Sequence, residues 1–183
     1  MKRGHHLFSD QSTVYDIRTP VDDYVIRKLK VGDMLKVSGT IYCGRDIVLP
    51  RIVQLYETEA LQINHINLQG SLIFHSAVSC AGVGATSSNK LEIESSIAPL
   101  SKAGVKIHLG KGTISAQTVV ALNRYNSIFA IIPPITASLE SKIFSREVIA
   151  FPEFGMEAFY RLSVENVEMI VAAARGQSIY EHE

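Results

Sequence analysis

The chain has 183 residues, 46% of them hydrophobic and 20% charged. That fits one compact domain, because domains typically run ~50–250 residues and a chain near 150 already buries about two-thirds of its unfolded surface. Lys plus Arg number 18 and Asp plus Glu also 18, so no positive excess exists to neutralise a phosphate backbone, and a general nucleic-acid binder is disfavoured.

From the N-terminus, residues 1–9 are polar and carry His5 and His6, which predicts a frayed end ahead of a single domain over 10–183. No apolar run follows Lys2 and Arg3 as a secretory signal requires, so a cytoplasmic location is expected. Thr13 to Ile17 alternates as a half-buried strand does, Pro20 to Asp23 opens a helix reaching Leu29, and Gly32-Asp33 turns the chain. Met34 to Ser38 and Ser71 to His75 read as short strands. Val105, Ile107 and Leu109 alternate with Lys106 and His108, and Ser115 caps a helix whose apolar face is Ala116, Val119, Val120 and Leu122. Ser127 to Ile132 follows as a buried strand, giving a strand–helix–strand unit over 105–132 with a right-handed crossover. The longest apolar stretch, Ile128 to Ile135, is broken by Pro133 and Pro134 and falls short of the ~20 residues of a membrane span. Glu147 to Phe151, Phe159 to Val164 and Met169 to Ala173 read as three further strands, with a turn at Arg175-Gly176-Gln177. The predicted class is α/β with a mixed sheet.

Cys43 and Cys80 match no zinc or haem spacing and read as buried or pocket-lining thiols. Two thiols cannot alone hold an iron–sulfur cluster, which normally takes about four, or three with an open iron, so any such cluster belongs to another chain. None of the six histidines has local spacing to a Ser or Cys that marks a nucleophile and base, and His65, His75 and His108 read as core-edge or surface residues.

Three glycine loops remain as carriers of chemistry: Ser38 to Asp46, Gly82 to Glu92, and Gly110-Lys111-Gly112-Thr113. The third is not a phosphate loop, since Val105 and Gly112 stand where a glycine and a hydroxyl are needed. In the second, Ser87 replaces the third glycine of a dinucleotide fingerprint. Together the loops offer Arg45, Lys90 and Lys111 as separated cations and Thr40, Thr86, Ser87 and Ser88 as hydroxyls, a set suited to a small dicarboxylate.

At these loops the chain resembles the β subunit, or equivalent C-terminal domain, of the class I iron–sulfur fumarases and L-tartrate dehydratases. The resemblance is strongest in Ser38-Gly39-Thr40-Ile41-Tyr42-Cys43-Gly44-Arg45-Asp46. It resumes at Ala103 to Lys106 with Gly110 to Gly112, at Phe154-Gly155-Met156-Glu157-Ala158-Phe159-Tyr160-Arg161-Leu162, and at Arg175 to Tyr180. Two departures stand out. Lys90 occupies the arginine position of the family's middle loop, and Pro133-Pro134 replaces two glycines.

The resemblance implies a single swivelling β/β/α domain hinged over an α subunit that carries a 4Fe–4S cluster, with none bound by this chain alone. It also implies a higher-order hetero- or homo-oligomer and no nucleic-acid or membrane partner. The chain looks like the separate-subunit form, and the activity implied is reversible hydration of fumarate to (S)-malate, an open iron acting as Lewis acid. Thr86 aligns with the threonine regarded as the base. Arg45, Lys90, Lys111 and Ser87 would bind substrate, with loop backbone contributed by Gly39, Gly84, Gly110 and Gly112. The alternatives are a dehydratase for tartrate or a related diacid, a non-catalytic carboxylate-binding or assembly domain, and a self-sufficient hydro-lyase active without iron.

Overall fold

The computed structural model describes residues 13–61, 65–79, 82–84, 90–133 and 139–180, with backbone alone at 84 and 90–93. The expected frayed N-terminus therefore lies outside the described residues. In chain order the elements are β1 (Val14–Arg18), α1 (Asp23–Lys28), β2 (Met34–Gly44), α2 (Leu49–Glu57), β3 (Leu72–His75), β4 (Ala77–Ser79) and β5 (Gly82–Gly84). There follow α3 (Lys90–Lys102), β6 (Ile107–Gly110), α4 (Ala116–Arg124), β7 (Ile128–Ile131), β8 (Ile143–Ala150), β9 (Phe159–Ala174) and β10 (Gln177–Ser178).

The mixed sheet curls on itself. Strands β2, β3, β6 and β7 run parallel in that spatial order, and the long antiparallel β9 pairs with both β7 and β2, closing a ring. β1 extends the sheet alongside the first half of β2, and β8 pairs with β9 alone.

Side chains alternate across each strand, so every ring strand feeds two cores. Leu72, Phe74, Ile107, Leu109, Ile128 and Ala130 point to one cluster with Leu35, Val37, Leu162 and Val171. The opposite faces are covered by helices: Ile73 packs with Leu49, Ile52 and Leu100, and Phe129 with Val119 and Leu122. Parallel strands connected by helices are covered on both faces, which is why the α/β class was readable from apolar runs.

The strand–helix–strand unit forms as expected, with β6 and β7 parallel across α4, and Ser115 accepts a hydrogen bond from the Thr118 amide at 3.2 Å as N-cap. Asp22 does the same for α1 through the Tyr24 amide at 2.7 Å.

Three expectations change. The segment from Ser38 to Gly44 is strand, not loop, and only the turn after it is irregular. Phe159 to Val164 and Met169 to Ala173 belong to one strand that runs through a bulge at Glu165-Asn166, where Asn166 takes φ +53° and the register against β2 shifts. Helices α2 and α3 are additions to the sequence reading. Among the described residues no helix is long and apolar enough to cross a membrane.

Candidate functional site

Because β2, β3, β6 and β7 are parallel, their carboxyl ends leave the sheet along one edge. Gly44 is in register with His75, Phe74 with Leu109, and Gly110 with Ile131. Arg45 directly follows β2 and Lys111 directly follows β6, so two of the three predicted cations emerge on this edge with β3 alone between them. At a strand spacing of ~4.8 Å, the two strand ends lie about 10 Å apart. Parallel α/β sheets, open or closed, bind ligands at the carboxyl ends of their strands, and the loops after β3 and β7 leave along this edge as well.

The turn after β2 is built by α2. The Val48 and Leu49 amides donate to the Arg45 carbonyl at 3.0 and 2.9 Å, and Pro50 sits in the first turn, where its missing N–H costs nothing. This fixes the Arg45 backbone while its side chain, with 17% exposure, is gripped by two carboxylates. Arg45 Nε lies 2.8 Å from Asp46 Oδ1 and 3.2 Å from Glu157 Oε1. Asp46 is the next residue in the chain, whereas Glu157 lies 112 positions away.

After β6, Gly112 takes φ +80°, a left-handed value that a side chain would strain, and the chain turns back into α4. Glu94 of α3 holds that return. Its carboxylate accepts from the Ser115 amide at 3.0 and 3.2 Å and from Thr118 Oγ1 at 2.9 Å.

The remaining predicted residues are placed unevenly. Gly84 ends β5, which pairs with β4 in a small separate sheet next to the same loops. Lys90 opens α3, with its backbone alone described, and Thr86, Ser87 and Ser88 lie outside the described residues. Gly39 is corrected: it sits inside β2, about 20 Å of strand away from Arg45 at ~3.3 Å per residue. Its φ of +112° forms the irregularity in β2–β9 pairing, and a Cβ there would lie 2.7 Å from Thr19 Oγ1. Its role is packing against the β1–α1 connection.

The histidines also differ from expectation. His65 is exposed, but His75 and His108 are 5% and 0% exposed. Their side chains form a buried chain: His75 Nε2 to His108 Nδ1 at 3.0 Å, then His108 Nε2 to Ser101 Oγ at 2.9 Å. Burial lowers the His75 pKa to about 4, while burial and then the charge of His75 hold His108 well below the usual histidine range. His75 Nδ1 has no hydrogen-bond partner among the described residues. A neutral pair of this kind is a structural feature of the sheet–α3 layer.

Cys43 is buried as expected, its thiol donating to the Ser76 carbonyl at 3.2 Å and pushed up to about 12 by burial. Cys80 lies outside the described residues. The two cysteines of the chain are fewer than the roughly three or four thiolates an iron–sulfur cluster normally takes, and among the described residues no three His, Cys, Asp or Glu side chains group as a metal site.

Comparison with known proteins gives a consistent set. The family described as fumarase C-terminus matches residues 5–183. A protein provisionally named class I fumarate hydratase from Geobacillus stearothermophilus is 28% identical over 193 aligned positions. The alignment covers 96% of this chain but only 36% of that protein, so the chain spans about a third of its length. A Methanocaldococcus jannaschii protein, provisionally named L(+)-tartrate dehydratase subunit beta, is 27% identical over 85% of this chain and 86% of its own length. The L(+)-tartrate dehydratase subunit beta of Escherichia coli K12 is 24% identical, over 76% and 72% respectively.

Proposed function

This chain belongs to the fumarase C-terminal family, and from that membership we propose that it is the β-type subunit of a two-part hydro-lyase acting on a small dicarboxylate. Fumarate and (S)-malate are the favoured pair, with tartrate or a related diacid as the second reading, since relatives named for each substrate match at similar identity. The observation that carries the proposal is the common emergence of Arg45 and Lys111 at the carboxyl edge of one parallel sheet.

On this reading Arg45 takes one carboxylate through its planar fork and Lys111 supplies point charge near the other, with Lys90 as a further cation and Ser87 as a hydroxyl contact. Thr86 would transfer the carbon-bound proton, which requires neighbouring cations to stabilise its oxygen in a water-poor site. Two cysteines are too few for a 4Fe–4S cluster, which normally takes about four thiolates or three with an open iron, so on this reading the cluster would be held by a separate α subunit, and this chain's part is to bind and orient the diacid and hold the proton.

Purifying the chain with and without a candidate α partner under anaerobic conditions, then assaying fumarate hydration and tartrate dehydration, tests the proposal. Activity only in the mixture is expected. No turnover in any cluster-loaded mixture would leave a carboxylate-binding or assembly role instead, and turnover by the chain alone would overturn the division of labour.

A further inference from the structure

Arg45 and Glu157 stand 112 positions apart in the sequence, yet Glu157 Oε1 lies 3.2 Å from Arg45 Nε. The sheet register brings them together. Cys43 of β2 pairs with Tyr160 of β9 in antiparallel register, so two steps further along, Arg45 comes beside Ala158 and its neighbour Glu157.

Glu157 is not held loosely. It ends a 3-10 segment, Pro152–Glu157, entered through Phe151 at φ +56° and kinked at Gly155 at φ +55°. Tyr160 Oη donates to the Gly155 carbonyl at 2.8 Å, the Ala158 amide donates to the same carbonyl at 3.1 Å, and the Arg51 guanidinium lies over the Phe154 ring at 4.9 Å. The next residues, Ala158 and Phe159, are buried. The backbone carrying this carboxylate is therefore pinned on both sides.

Asp46 and Glu157 both contact the Nε corner of Arg45. A guanidinium is planar and Nε carries a single N–H, so two carboxylates within reach of that one edge restrict the plane and with it the direction of the two Nη groups. A fork presented in a fixed orientation loses less freedom on taking a carboxylate than one that must be ordered by the ligand. We propose that Glu157 is a positioning residue that orients the Arg45 fork for the dicarboxylate. This rests on the reading of Arg45 as a carboxylate-binding residue.

The sign of the effect separates this role from plain electrostatics. Arg45, Asp46 and Glu157 sum to a formal charge of −1, so a Glu157 that only added negative charge would repel an incoming dianion. Removing it would then tighten binding. A positioning role predicts the reverse.

The full chain, at 20.1 kDa, suits a 1H–15N NMR titration with fumarate as probe, which measures weak binding and observes the Arg45 Nε–H signal directly. Glu157→Ala is expected to weaken the apparent affinity at least fivefold and to shift the Arg45 Nε–H signal, which Asp46 still holds, with the folded spectrum retained. Glu157→Gln keeps an acceptor oxygen at that place, and is expected to stay within twofold of wild type. Tighter binding in Glu157→Ala, or unchanged binding, overturns the inference while leaving Arg45 in place. Fumarate-dependent shifts that survive unchanged in Arg45→Lys overturn the carboxylate-binding reading itself, and a wild-type chain with no fumarate-dependent shifts overturns both.

Discussion

Lowering the pH from 7.5 to 5.0 should destabilise this protein through two residues, His75 and His108. Their pKa values in the folded chain are depressed, about 4 for His75, whereas an unfolded histidine titrates near ~6.5. Between those values the unfolded chain binds protons that the folded chain refuses, so stability is complete above about pH 6.5 and falls as the pH drops toward about 4. For His75 this amounts to RT ln(1 + 10^1.5), or about 2 kcal/mol at pH 5.0, and His108, depressed in the same sense, adds to it. The geometry reinforces the sum: with Nε2 of one ring 3.0 Å from Nδ1 of the other, full protonation would set N–H against N–H. A loss of that size is a large part of the ~5–15 kcal/mol that holds a typical domain folded. Urea unfolding at half-unit pH steps measures it, and His75→Gln and His108→Gln should each reduce the slope. Stability at pH 5.0 within about 1 kcal/mol of that at pH 7.5 would refute the reasoning, because the imidazoles would then accept protons without unfolding.

Three substitutions probe the site and its frame. Arg45→Lys should cut catalytic efficiency of the reconstituted complex at least ~10-fold, or ~1.4 kcal/mol, with unchanged melting, since one ammonium cannot reproduce the fork held by Asp46 and Glu157. Steady-state kinetics beside a thermal melt reads both quantities. Thr86→Val should lower the maximal rate by a factor of roughly 100 to 10,000 with a smaller change in KM, measured by single-turnover hydration with Ser87→Ala as control. Gly39→Ala should destabilise the fold by about 2 kcal/mol or more in denaturant unfolding while leaving fumarate affinity of the folded fraction intact, because its Cβ meets Thr19 and its φ is +112°.

What the sequence made legible follows from which forces act locally. β1, the first half of β2, β3 and the β6–α4–β7 unit could be read because apolar alternation and the Ser115 and Asp22 caps are short-range signals. α3 escaped because Pro99 lies inside it, and a proline in a helix interior normally argues against the helix. α2 escaped because its opening, Leu49-Pro50, follows so closely on the glycine and arginine that suggested a loop, although Ile52, Val53 and Tyr56 repeat at helical spacing. The histidine assignment failed for a different reason. His108 alternates with Ile107 and Leu109, which placed it correctly on the opposite face, but both faces of a helix-covered parallel strand are buried. Alternation reports the face, not its exposure.

The site divides along the same line. Arg45 and Lys111 could be named from their glycine loops because each follows its own strand directly, whereas Glu157 and Glu94 enter through tertiary register alone. The two carboxylates on Arg45, those of Asp46 and Glu157, change the charge arithmetic of the site. Arg45, Lys90 and Lys111 give +3, and Asp46 and Glu157 on the Arg45 guanidinium bring the set to +1. A bound dianion would take it to −1. On the proposed reading, Arg45 with the two carboxylates at its Nε brings no net positive charge to a diacid, so backbone N–H groups of the glycine loops would share in holding one. On the proposed reading, a site with little net positive charge depends on the direction of its donors, which is the physical sense of two carboxylates at the Arg45 Nε corner.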